Sequence, residues 1–165
     1  LFNGWLRINL SATHFLGYKI PCAGKNNRGC AAARGTQDVA GYFNFDNFAR
    51  SMPETKINTT LEWTNDNHKL ALLVFYVSDY ETTRSIPDPA RAAGYSNKVD
   101  SWSTLDIQYS YQLEFQGIDT TLTVGAKNLT DEKAPKVYDA ANFSYDAKQH
   151  DPRGQIWYLQ LRAAF

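Results

Sequence analysis

The chain has 165 residues, with 17 Lys and Arg against 17 Asp and Glu, so its formal charge is zero. No bulk field draws it to nucleic acid or to an anionic membrane surface. No apolar run reaches the length of a transmembrane helix, which excludes a helical membrane protein. Aromatic residues make up 14 % of the chain, and Thr and Asn are frequent, a mixture that suits sheets with one wet face better than helices.

The chain opens directly in strand-like sequence at Leu1, with no initiator Met and no signal peptide, and is expected to be part of a longer polypeptide. Residues 3–20 alternate: Leu6, Ile8, Leu10, Ala12, Leu16, Tyr18 and Ile20 share one parity, opposite Arg7, Asn9, Ser11, Thr13 and Lys19. A period of two predicts a strand with one apolar face. His14 interrupts the apolar side and reads as structural. Residues 21–55 are long and polar. They contain Cys22 and Cys30, read first as a local disulfide formed in an oxidising compartment, with two free thiols as the alternative. Gly41-Tyr42-Phe43-Asn44-Phe45 reads as a short hairpin arm, and Pro53 closes the segment.

Residues 56–65 alternate again, Ile57, Thr59, Leu61 and Trp63 against Lys56, Asn58, Thr60, Glu62 and Thr64. Asn65-Asp66-Asn67 predicts a tight turn, because these residues tolerate left-handed backbone. Residues 68–80 form the next predicted strand. It is apolar on both parities, and only Lys69 and Asp79 mark the odd side as wet. Residues 81–99 are predicted to be a loop in which Pro87-Asp88-Pro89 forbids regular structure. Residues 101–113 alternate cleanly, Gln116-Gly117 turns, and residues 118–129 follow. Residues 130–154 form another long loop. The final strand, 155–165, has Trp157, Leu159, Leu161, Ala163 and Phe165 on one parity and Tyr158, Gln160, Arg162 and Ala164 on the other.

Six strands are thus joined by connections that run long, short, long, short, long. A soluble sandwich has no reason to alternate in this way, whereas an outer-membrane barrel does, with short periplasmic turns and long extracellular loops. The aromatic residues of the apolar faces fall near strand ends: Tyr18, Trp157 and, if it faces lipid, Tyr76 toward the outer interface, Trp63, Tyr111 and Phe165 toward the inner one, the pattern of two girdles. The charged residues Arg7, Lys56, Glu62, Asp106, Asp119, Lys127 and Arg162 all lie on the wet parity. The expected fold class is therefore all-β, an antiparallel transmembrane barrel. Six strands cannot close one, so residues 1–165 are expected to supply the last six strands of a larger barrel.

Asn128-Leu129-Thr130-Asp131-Glu132, followed by Pro135, Tyr145-Asp146, Asp151-Pro152-Arg153-Gly154-Gln155 and the terminal Phe165, resembles the C-terminal end of TonB-dependent outer-membrane receptors. Thr130 stands where that family usually has Phe, and Gln155 where it usually has Arg. Ala40-Gly41, Asn44, Pro53, Lys56, Trp63, Tyr76 and Tyr80 also follow an order typical of a large receptor subgroup. The resemblance implies a 22-stranded barrel of a Gram-negative outer membrane, with a plug domain and a TonB box that this chain lacks. It implies import of a scarce nutrient (iron-siderophore, cobalamin, haem or glycan) driven through the TonB complex. The implied partners are the rest of the barrel and plug, outer-membrane lipid and lipopolysaccharide, an extracellular ligand and the barrel assembly machinery. The last is expected to read the terminal strand through Trp157, Leu159, Leu161 and Phe165.

No Gly-rich phosphate loop, nucleophile elbow or paired metal-ligand motif appears, so neither an enzyme nor a cofactor is expected. Asp139, Asn142, Asp146, His150, Asp151 and Arg153 form the densest polar cluster. A loop folded on its own turns, with an Asp151–Arg153 contact, is preferred over a calcium site. Tyr42, Phe43, Tyr95, Trp102, Tyr138, Phe143 and Tyr145 are candidates to stack on a flat or sugar-like ligand, against a simple role in loop packing. Two other readings stand beside the receptor: a different outer-membrane barrel (porin or adhesin translocator) and a secreted β-sandwich carbohydrate-binding module.

Overall fold

The structure, a computed structural model, describes residues 4–22, 35–43, 50–138 and 144–164. It is all-β. Its principal element is a six-stranded antiparallel sheet of β1 (Trp5–His14), β6 (Thr55–Asn65), β7 (His68–Val77), β10 (Trp102–Phe115), β11 (Ile118–Lys127) and β12 (Ile156–Ala164), in that spatial order. Each strand pairs with its neighbour in sequence along this sheet, so there is no crossover. The turns at one end are short. Asn65 pairs with His68 across Asp66-Asn67, where Asp66 has φ 48°. Phe115 pairs with Ile118 across Gln116-Gly117, where both φ values are positive (55° and 75°), as a two-residue hairpin turn matched to strand twist requires. The long connections all lie at the other end.

Antiparallel partners share a face, so the register sorts every side chain. One face carries Leu6 opposite Trp63, Ile8 opposite Leu61, and Leu61 opposite Leu72. It continues through Leu72 opposite Ile107, Tyr109 opposite Val124, and Val124 opposite Leu159. The six strands place no Asp, Glu, Lys or Arg on it. The opposite face carries Arg7 opposite Glu62, Glu114 opposite Asp119 and Thr121 opposite Arg162. On it Glu62 stands between two cations, 3.8 Å from Arg7 and 3.4 Å from Lys69. The register also orients β7, which periodicity left ambiguous. Ala71, Leu73, Phe75 and Val77 oppose Glu62, Thr60, Asn58 and Lys56, so the odd parity lies on the charged face and Tyr76 on the apolar one.

Three expectations need correction. Residues 3–20 are not one strand. β1 stops at His14, and Lys19–Pro21 forms β2, which pairs with β3 (Thr36–Asp38). The chain leaves the sheet because Asp38 accepts a hydrogen bond from the Tyr18 amide (2.8 Å) and lies against Gly17, where a Cβ would meet its carboxylate at 2.7 Å. Tyr18 therefore sits beyond the sheet and is not part of its apolar face. Residues 81–99 are not irregular throughout. They contain α1 (Asp88–Ala92) and β9 (Lys98–Val99), and β8 (Tyr80–Thr82) overlaps their start. Pro87 is the N-cap of α1 and Pro89 lies in its first turn, where a missing amide donor costs nothing. The strand expected over 68–80 is divided in the same way, β7 ending at Val77 before β8 begins.

The hairpin arm is present in its described part: Tyr42–Phe43 (β4) pairs with Ser51–Met52 (β5) and, in parallel, with β8. These strands and β9 form a small four-stranded sheet at the long-connection end. Its side chains Phe43, Tyr80 and Val99 make a buried cluster with Val137 of the last long connection. The apolar core of the described molecule thus lies among the loops. The apolar face of the large sheet stays uncovered: Ile8, Leu10, Leu159 and Leu161 are all more than 60 % exposed.

Candidate functional site: a cavity on the charged face

The last long loop folds back over the charged face at the long-connection end. Asp146 organises it. Its carboxylate accepts hydrogen bonds from the Tyr80 hydroxyl (2.9 Å) and the Lys148 amide (3.0 Å), and its carbonyl accepts from the amides of Gln149 and His150. Gln149 reaches across to β5, donating to the Ser51 hydroxyl at 2.9 Å. His150 is buried, stacked on Tyr80 (centroids 6.1 Å) and edge-on to Trp102 (5.5 Å). Among the described residues, neither of its ring nitrogens has a hydrogen-bond partner, nor has the indole nitrogen of Trp102. Burial pulls the His150 pKa below its ordinary value, with the Asp146 charge pushing weakly the other way. Burial and the same carboxylate push the Tyr80 hydroxyl up, so it stays a donor.

The loop then returns to the sheet. Arg153 donates from Nε to both oxygens of Asp151 (2.9 and 3.0 Å) and from a terminal nitrogen at 2.6 Å, which holds the Asp151 carboxyl below the usual carboxylate range. Gly154 takes φ 71°, and the Gln155 amide donates to Asp131 Oδ1 at 3.0 Å. With Lys133 on its other oxygen, Asp131 is also held low. These local contacts are the self-contained loop that the sequence suggests. Asp139 and Asn142 lie outside the described residues. Among the described residues, no group of three or more His, Cys, Asp and Glu side chains is placed to hold a metal ion.

Between this loop and the sheet lies a cavity of about 570 Å³, within the range of small-molecule sites. Its floor includes Phe75, Trp102 and Thr104, with Lys56 and Lys127 at its sides and Tyr145 and Gln149–Gly154 above. Of the aromatic candidates among the described residues, only Trp102 and Tyr145 reach it. Phe43 is spent on the buried cluster, Tyr42 is exposed, and Tyr95 packs edge-on against Tyr138 at 5.7 Å. Phe143 and Phe165 lie outside the described residues. So does Cys30. Cys22 is buried and is not a free thiol. Trp157, Leu159 and Leu161 lie exposed along β12, an edge strand of the sheet.

No known protein family, curated protein or solved structure matches the chain.

Sequence reasoning did not single out Phe75, Lys56 or Lys127 as site residues. The signal was available for the lysines, which sit on the wet parity next to long connections. What was hidden is that one row across the sheet, Lys56–Val77–Trp102, brings distant segments under the same loop.

Proposed function

We propose that the six-stranded sheet is an arc of a transmembrane β-barrel of a Gram-negative outer membrane. In this reading it forms the C-terminal end of a TonB-dependent receptor that imports a scarce nutrient. The observation that carries it is the uncharged, uncovered face extending across all six strands. Exposed apolar patches beyond a few hundred Å² do not persist on soluble monomers, and hydrocarbon is the medium in which such a face needs no cover. Strand length agrees. β1, β7 and β11 have 10 residues each, β6 has 11 and β12 has 9, and a tilted strand needs about 9–11 to cross a bilayer. Tyr76 and Trp157 lie on this face at the long-connection end and Trp63 and Tyr111 at the short-turn end, as two interfacial girdles would. The resemblance of the segment from Asn128 to Gln155 narrows the barrel to the receptor type. The charged face then lines the lumen, and the edges β1 and β12 pair with strands outside this chain.

The decisive measurement is the intact mass and heat-modifiable gel migration of the native polypeptide from an outer-membrane detergent extract. A mass several times 18.7 kDa, with a folded form that shifts only on boiling, is expected. A chain of about this mass that stays in solution without detergent overturns the proposal and leaves the secreted carbohydrate-binding module in its place.

A further inference from the structure

We infer that the cavity beneath the Tyr145–Gly154 loop is a binding site for a small acidic molecule with a flat apolar body, an aromatic carboxylate in chemical class. The inference rests on the barrel reading only in placing this cavity on the lumen side, toward the outside.

The charge of the lining decides the sign of the ligand. Four cationic side chains (Lys56, Lys127, Lys148 and Arg153) face two carboxylates (Asp106 and Asp151). Both carboxylates are already engaged: Asp151 by Arg153, and Asp106 by the Asn128 amide at 2.8 Å. Lys56 and Lys127 have no carboxylate within salt-bridge distance among the described residues, although the Lys127 charge acts on Asp151 from farther away. They stand on β6 and β11, on opposite sides of β7 and β10, and line the cavity from its two sides. A cation beside a half-enclosed, low-dielectric wall attracts an anion more strongly than one in open water does.

The floor decides the shape. Phe75 and Trp102 offer aromatic surface between the two lysines, on which a flat body stacks. The Trp102 indole nitrogen and both nitrogens of His150, a residue only 4 % exposed, have no partner among the described residues, but they are closed off from the cavity and fix no contact with an occupant.

The test uses the full-length protein purified in detergent, with 2-naphthoate as probe and the uncharged 2-naphthamide as its control, followed by isothermal titration. Naphthoate is expected to bind saturably at concentrations up to about 10 mM and more weakly as salt is raised. Naphthamide is expected to bind about tenfold more weakly, and Lys127→Met or Lys56→Met to weaken naphthoate by about tenfold. Lys127→Arg, which keeps the charge, is expected to stay close to the parent. Heat-modifiable migration verifies that each variant folds. Equal binding of the two probes, an unchanged Lys56→Met/Lys127→Met double variant, or no saturable naphthoate binding overturns the inference. If the protein is an outer-membrane barrel that ignores naphthoate, the inference alone fails. If it binds naphthoate but dissolves without detergent, the barrel reading alone fails.

Discussion

Asn128 closes the end of β11 with four hydrogen bonds, its carbonyl accepting one from the Asp131 amide at 2.9 Å. Its side chain brackets Glu132, donating to the Glu132 carbonyl and accepting from its amide, both at 2.9 Å, while its own amide donates to Asp106. It does so at φ 47°, a left-handed conformation that Asn tolerates and most residues resist. Asn128→Ala is expected to destabilise the folded protein by about 2 kcal/mol, and Asn128→Gly by about 1 kcal/mol, because Gly restores the backbone freedom but not the bracket. Urea unfolding followed by tryptophan fluorescence reads the difference; an Ala variant as stable as the parent contradicts it. His150 makes a different prediction. Tyr80 faces it from β8, Trp102 from β10 and Asp146 from its own loop. Its folded pKa is depressed, so at mildly acidic pH the unfolded loop binds more protons than the folded one. The loop's stability is then full above about pH 6.5, the unfolded value, and falls as the pH drops below it. The protection of the Gln149 and His150 amides, both bonded to Asp146, against hydrogen exchange should fall in that window, measured relative to the intrinsic rate at each pH. His150→Phe should remove this step while leaving the separate, lower loss that belongs to the depressed Asp131 and Asp151 carboxyls.

At the scale of the element, β12 is the clearest test of faces. Leu161 lies opposite Leu122 on the uncharged face, and its neighbour Gln160 lies opposite Thr123 on the other. Leu161→Lys is expected to cost about 2–4 kcal/mol if the leucine faces hydrocarbon, and Gln160→Lys a few tenths at most. Equal effects in a urea titration of the membrane-inserted protein would end the two-faced reading. The alternation of β1, β6, β10, β11 and β12 was legible because antiparallel pairing preserves parity from strand to strand. β7 was marked only by its end charges, since Leu70, Leu72 and Val74 alternate with Ala71, Leu73 and Phe75; Lys69 pointed to the odd side as wet, and the register puts that side on the charged face. Gly125 illustrates what a one-dimensional pattern cannot hold. It reads as a weak strand residue, yet the ring of Tyr158 lies over it, and the Tyr158 hydroxyl donates to Gln108 at 2.9 Å. A Cβ at position 125 would meet that ring, so Gly125→Val is expected to displace it and to cost roughly 1–2 kcal/mol.

For the whole molecule, the principal feature is that the described chain has its apolar core at one end, among β4, β8 and β9, and an uncovered apolar face along its largest sheet. Free edges at β1 and β12 fit the proposed barrel arc, in which neighbouring strands would cover them. In that reading limited proteolysis of the native protein is expected to spare the six strands and cut first in the long connections, whereas cleavage within β7 or β10, the central strands, would contradict the arrangement. Amino-acid order by itself determined the six long strands to within a few residues, the two faces of all but β7, and the alternation of short and long connections; the short strands of the loops were not legible in it. These depend on side-chain period and turn chemistry, which act over a few residues. Tertiary structure decided the orientation of β7, the excursion of Tyr18 off the sheet, and the meeting of Lys56, Phe75, Trp102, Lys127 and His150 around one cavity. Those outcomes depend on contacts between residues far apart in the chain, which no local pattern encodes.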